Sequence, residues 1–245
     1  MKVLYGEVLT SLKLYFRNRH ALVPTAGFPL VFMLLFGYMC RGQSIGGVPA
    51  VAYVFASIIG MSVGGTAFLN LSINLVEERD KGILKRLRGT PLREWQLLGG
   101  KVLAASVVIF LQVPLLFAIG LLFFGLRLRG ATFPSLAILA LGTFTFLAMG
   151  FCLASLMKNA RAAEAWALAL FLPMLFIGGG FFPTESLPLA IQHLAQVLPV
   201  THLYQALVAV MVEGGSVLAC GDHLLVMMLW MGACFGIALK TFRWQ

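Results

Sequence analysis

The sequence predicts an all-α integral membrane protein: six transmembrane helices, an amphipathic interfacial helix before them, and short re-entrant helices between spans five and six. Two observations predict this class. Hydrophobic residues make up 60% of the 245 and charged residues only 11%, with a mean hydropathy of +0.93. Soluble domains run at roughly 45–50% apolar and about 25% charged, so most of this chain must take lipid as its solvent. The apolar runs are also of crossing length. A helix of about 20 residues crosses the hydrocarbon, whereas an open strand would leave its backbone groups unsatisfied there.

Residues 1–20 come first. Leu4, Tyr5, Val8, Leu9, Leu12, Tyr15 and Phe16 recur on one helical face, with Lys2, Glu7, Thr10, Lys13 and Arg17 mostly on the other. That pattern suits a helix lying in the interface. The apolar run after it begins near residue 21 and lacks a small-residue cleavage site, so no cleaved signal is expected. Spans are expected at about 22–40, 48–75, 101–126, 133–157, 162–182 and 217–239. With the N-terminus inside, fifteen of the 18 basic residues fall in cytoplasmic segments, and only Arg41, Arg127 and Arg129 fall outside. Lys and Arg gather on the cytoplasmic side, so both termini are expected there. The net charge of +9 is therefore read as topology, with no nucleic-acid partner.

Residues 77–101, EERDKGILKRLRGTPLREWQLLGGK, concentrate the charge. The second span ends in Asn70, Ser72 and Asn74, and its helix is expected to continue to Leu87. Gly89-Thr90-Pro91 then turns the chain, with Thr90 as N-cap and Pro91 at the first helical position. A new helix begins with Leu92, Arg93 and Trp95 and runs into the third span. Residues 77–98 thus form a cytoplasmic elbow whose apolar Leu92 and Trp95 stand in a ring of charge.

Residues 183–213 are too polar and too often broken by proline to span. Leu187, Ala190, Ile191, Leu194, Val197 and Leu198 make an apolar stripe opposite Gln192, His193 and Gln196, and Pro199 ends that helix. Two short helices dipping into the outer leaflet are expected. The glycines at 178–180 would let the fifth span bend or pack closely as it enters this region.

The chemistry-bearing patterns are few. There is no GxxxxGK[ST], HExxH or GxSxG, so no catalytic residue, metal ligand or cofactor is assigned to the chain. His20, His193, His202 and His223 are each read as interfacial or capping residues. Cys40, Cys152, Cys220 and Cys234 are read as mostly buried free thiols, with a Cys40–Cys220 bridge as the alternative. The spans hold almost no ionisable groups, which disfavours a carrier or channel driven by an ion gradient.

The charged segment resembles the stretch after the second helix of ABC-2-type permeases, the membrane subunits of ATP-driven exporters. The resemblance rests on Glu77 and Glu78, Gly82, Leu84 and Leu87, Thr90-Pro91-Leu92, and Gly100-Lys101. A second similar stretch is PMLFIGGGFFPTESLPLAIQHLAQVLPVTHLYQAL at 173–207, and the order of elements agrees over essentially the whole chain. The resemblance implies that 77–98 is a coupling segment docking on a separate ABC ATPase, which binds ATP and Mg. The residues it assigns to docking are Glu77, Glu78, Arg86, Arg88, Thr90, Pro91, Leu92, Arg93 and Trp95. One elbow per chain implies a dimer, of two identical copies or with a related permease, in a bacterial inner membrane. Asn70, Asn74, Gly64, Phe181 and Phe182 are the expected pathway residues, on the second span and at the end of the fifth. Spans rich in Phe, Leu, Met and Ala, with sparse Thr66, Gln112, Thr143 and Thr145, suit a hydrophobic or amphipathic cargo that is drug- or lipid-like. A polysaccharide or lipid-linked glycan is the alternative.

The topology has a direct check. In a cysteine-free background, single cysteines at Gln192 and Gln196 should react with an impermeant thiol reagent added outside the cell. Labelling only from the cytoplasmic side would invert everything after residue 182.

Overall fold

The computed structural model describes residues 2–17, 27–45, 47–83, 94–126, 128, 130, 132–179 and 188–241. These are overwhelmingly helical. The elements are α1 (Lys2–Arg17), α2 (Phe28–Met39), α3 (Ala50–Asp80), α4 (Glu94–Phe124), α5 (Thr132–Leu156), α6 (Ala160–Ile177), α7 (Leu189–Ala195), α8 (Pro199–Val212) and α9 (Gly221–Thr241). A small antiparallel hairpin, β1 (Ser44–Ile45) with β2 (Val48–Pro49), joins α2 to α3. A 3-10 turn, Val217–Cys220, leads into α9.

Five of these helices are long and apolar enough to cross a membrane: α3, the 98–124 part of α4, α5, α6 and α9 with its leading turn. The expected first span appears as the shorter apolar helix α2; residues 18–26 lie outside the described residues. Between α6 and α9 stand α7 and α8, bent by 81° against each other, as the proline-broken segment predicts. All four cysteines are free, and three of them are buried.

Helices α3 and α5 form the centre. Phe55, Ile58, Ile59, Val63 and Phe68 of α3 pack with Ile138 and Phe146 of α5 in one apolar core. Helix α5 and the first half of α3 are apolar on nearly all sides, the pattern of a helix surrounded by other helices. Thr145 supports the pairing of α5 with α9, because its hydroxyl lies 2.9 Å from the Leu141 carbonyl and 3.2 Å from that of Met227. Helices α4 and α9 stand at the periphery and leave Leu111, Leu122, Phe123, Leu229 and Leu239 exposed, which suits contact with lipid.

At 31 residues, α3 is about 46 Å long, against about 30 Å of hydrocarbon, so one end must project into the aqueous phase. It is also irregular. Residues Gly64–Asn70 are wound as a π-helix, a feature frequent at functional sites. A Cβ built on Gly64 would lie 2.2 Å from the Phe171 ring of α6, so glycine is what lets that ring seat against the π segment.

Three boundaries differ from the sequence reading. Helix α3 stops at Asp80 rather than Leu87, because Gly82 takes φ +68 and turns the chain. The Lys81 and Gly82 amides donate to the Glu77 and Arg79 carbonyls at 2.9 Å each, satisfying the open helix end. Helix α6 stops at Ile177, five residues early, where Gly178 and Gly179 form a turn. Helix α4 stops at Phe124, two residues before the expected end of the third span, where Gly125 takes φ +62.

The glycine contact makes a prediction. Gly64→Val should lower the melting temperature of the purified protein by an amount equivalent to about 1–3 kcal/mol, the usual cost of overpacking. This should occur despite the better helix propensity of valine over glycine. Adding Phe171→Ala should make the pair non-additive, with Gly64→Val costing less in that background. A single variant as stable as the wild type would show that the contact is loose.

Candidate functional site

One face of α3 carries a ladder of polar side chains at helical spacing: Thr66, Asn70, Asn74, then Glu77 and Glu78, then Lys81. The ladder covers about 22 Å, from within the bundle to the projecting end of the helix. Its inner rung is tied across the bundle, where the Thr66 hydroxyl donates to Gln112 Oε1 of α4 at 3.4 Å. Asn74 donates its amide to the Asn70 side-chain oxygen one turn away.

The ladder lines a cleft of about 230 Å³ between α1, α3 and α4. Ser11 and Tyr15 of α1 form one wall. Ala104, Ala105 and Val108 of α4 form another, and Leu71 and Leu75 of α3 complete the apolar lining. Two ion pairs sit at its charged end. Lys101 of α4 reaches both carboxylate oxygens of Glu78, at 2.6 and 2.7 Å, with the lysine side chain 11% and the glutamate 21% exposed. Lys81 and Glu77 pair at 2.5 Å but remain largely open to solvent. The inner pair holds a defined geometry, whereas the outer pair contributes little to stability.

The next two residues of the run reach other helices. Arg79 donates to the Ala154 carbonyl at 3.3 Å and also to the Met157 carbonyl, closing the C-terminal end of α5. Asp80 Oδ2 accepts the Ala160 amide at 2.7 Å, at the first turn of α6, where Asn159 also caps by accepting from the Ala162 amide at 2.9 Å. An arginine at a helix C-terminus and an aspartate at a helix N-terminus each complement the macrodipole. The consecutive residues Glu78, Arg79 and Asp80 thus clasp the end of α3 to α4, α5 and α6.

Against the sequence reading, Glu77 and Glu78 lie on the described part of the elbow, and both have partners within the chain. Arg86, Arg88, Thr90, Pro91, Leu92 and Arg93 lie outside the described residues. Trp95 belongs to the first turn of α4, as expected, but its side chain is outside the described set. Of the pathway residues, Asn70 and Asn74 line the cleft, Gly64 packs closely against Phe171, and Phe181 and Phe182 fall outside the described residues. Sequence reasoning overlooked Lys101 as the partner of Glu78, and it overlooked the roles of Arg79 and Asp80. The i, i+4 spacing of 66, 70 and 74 was the available signal for the ladder.

Two of the histidines, each read singly from the sequence, form a pair. At the opposite end of the bundle, His202 of α8 and His223 of α9 meet with Nδ1 atoms 2.9 Å apart. His202 Nε2 is 2.8 Å from the Gln196 carbonyl, which can only accept. The neutral His202 ring therefore carries its proton on Nε2, and His223 Nδ1 donates to His202 Nδ1. Trp230 Nε1 adds a bond to the Val197 carbonyl at 2.8 Å, so α9 holds the bent helix pair at two points. Neither contact was legible in residues separated by 21 and 33 positions.

The chain was compared with known proteins. The family model described as "ABC-2 type transporter" matches residues 8–212. Among curated relatives, the "Putative transport permease YvfS" of Bacillus subtilis (strain 168) is 26% identical over 203 residues, which is 82% of each chain. The "Probable multidrug ABC transporter permease YbhR" of Escherichia coli (strain K12) is 24% identical over 61% of this chain and 41% of its own length. The "Inner membrane transport permease YhhJ" of the same organism is 24% identical over 69% of this chain and 46% of its own length. The chain thus matches less than half the length of each of these two E. coli relatives. With a family match across most of the sequence and a bundle of apolar helices long enough to cross a bilayer several times, this chain belongs to the ABC-2 type transporter family.

Proposed function

We propose that this chain is the membrane half of an ATP-driven exporter of a bacterial inner membrane. In this reading, a separate ATPase, which binds the ATP and Mg, docks on the segment after α3. The observation that carries the reading is the clasp. The residues just before that segment bind α4, α5 and α6 through Glu78, Arg79 and Asp80. A displacement imposed on residues 84–95 is therefore delivered to four helices together, α3 included. Such coupling suits rigid-body movement of a domain.

The charged end of the bundle faces the cytoplasm in this account, and the α7–α8 pair faces outward. The basic residues on either side of the spans support that orientation. Each chain offers one docking segment, so two copies, or this chain and a related permease, assemble side by side. The cargo is hydrophobic or amphipathic and enters from the inner side, near Asn70 and Asn74. The multidrug wording attached to an E. coli relative is consistent with this class.

Two kinds of variant separate docking from transmission. Leu92→Ser with Trp95→Ser should weaken co-purification of the ATPase by about thirtyfold, the loss of an apolar anchor worth roughly 2 kcal/mol, while membrane insertion is unchanged. Lys101→Met should leave co-purification intact and abolish ATP-dependent export. It should also cost roughly 1–3 kcal/mol of stability, less than for a fully buried pair because Glu78 retains some exposure. Adding Glu78→Gln should recover most of the stability but not the export. Full export by the Lys101 variant, or full ATPase retention by the Leu92/Trp95 variant, would contradict the corresponding assignment.

A further inference from the structure

The cleft between α1, α3 and α4 has features that packing alone does not require. Its volume of about 230 Å³ falls below the roughly 300–1,000 Å³ of sites that enclose a whole drug-sized ligand. It equals the share of about eight liquid waters. A cleft of this size holds part of a molecule and leaves the remainder outside.

Its polar groups have capacity to spare. Asn74 donates to the Asn70 oxygen, and that bond does not engage the Asn74 side-chain carbonyl or the Asn70 amide group. Both residues line the cleft beside Leu71, Leu75 and Val108, an apolar surround in which an amide without a partner is costly. The charges divide evenly. Glu77 and Glu78 face the cleft together with Lys81 and Lys101. A head group of net negative charge would meet both carboxylates, and one of net positive charge would meet both ammonium groups. A head that carries one charge of each sign can exchange partners with the existing pairs without leaving any of them alone.

We propose that this cleft binds the head group of a zwitterionic amphiphile, with its apolar tail along Leu71, Leu75, Ala104 and Val108. The proposal rests on the exporter reading only for the direction of entry, since it places the cleft on the inner side of the membrane. The same chemistry has two sources. The occupant is either a membrane lipid that stays in place or the cargo itself on its way out.

The test uses the full chain, purified in a mild uncharged detergent, without the ATPase. Dioleoyl phosphatidylethanolamine and dioleoyl phosphatidylglycerol are added at equal concentration, and retained lipid is counted by native mass spectrometry. The wild type should retain the zwitterionic lipid about tenfold more than the anionic one, equivalent to about 1.4 kcal/mol. Asn74→Leu and the charge-free pair Glu78→Gln with Lys101→Met should each lose that preference while keeping a cooperative thermal transition. Because the two alterations are independent, misfolding of one leaves the other to decide. Equal retention of both lipids by the wild type, or an unchanged preference in a folded variant, would overturn the proposal. Proteoliposomes that include the ATPase then identify the source. Phosphatidylethanolamine that leaves the cleft upon ATP turnover is cargo, and lipid that remains is resident. Because the first measurement needs no nucleotide, its failure would leave the exporter reading standing, and failed export would leave the head-group site standing.

Discussion

Hydrocarbon offers no hydrogen bonds, so a polar side chain that α3 carries through the bundle is costly unless it finds a partner inside the protein or lines a wetted space. The organisation of the charged end follows from that constraint. Thr66 finds Gln112, Asn74 finds Asn70, and Glu78 finds Lys101. Where the helix emerges, Arg79 and Asp80 satisfy the open ends of α5 and α6. The placement of α4, α5 and α6 around the end of α3 is thus specified by polar partners, while the apolar core between α3 and α5 supplies the burial that holds the bundle together.

The charged run divides into two parts with different tasks. Residues 77–81 are directed mostly inward, to neighbouring helices or to each other. In the proposed function, the segment beyond Gly82 is the part that meets the ATPase. This division gives a mechanical reason for the adjacency of the two parts. A docking segment attached to an isolated helix end would move that helix alone, whereas one attached to a clasp moves several elements. The opposite end has its own fastening in the His202–His223 and Trp230–Val197 contacts, so the bent pair α7–α8 follows α9.

The class of fold and the order of its elements could be read from hydropathy and proline placement, because the hydrocarbon imposes both length and composition on a span. The break at Pro199 was legible for the same local reason. Helix ends were less so. Gly82 sits among residues that otherwise favour helix, and only its left-handed backbone reveals the stop at Asp80. The site was half legible. Asn70 and Asn74 stand out as amides at the end of an apolar run, and their i, i+4 spacing places them on one face. Lys101 could not be matched to Glu78, because 23 residues and a turn separate them. The neighbour of Gly64 was not legible, because a glycine in sequence says only that something approaches closely, not that it is Phe171 of the same chain.

The central claim is that nucleotide-driven motion enters at the end of α3 and moves the surrounding helices as one. It can be measured by pulsed electron paramagnetic resonance on the permease–ATPase complex in lipid. A spin label is placed at the exposed position Arg161 of α6 in each of the two assembled copies. The account predicts that ATP shifts the distance distribution between them, that ADP restores it, and that Lys101→Met removes the shift while the complex stays assembled. The same distribution in every nucleotide state of the wild-type complex would contradict it.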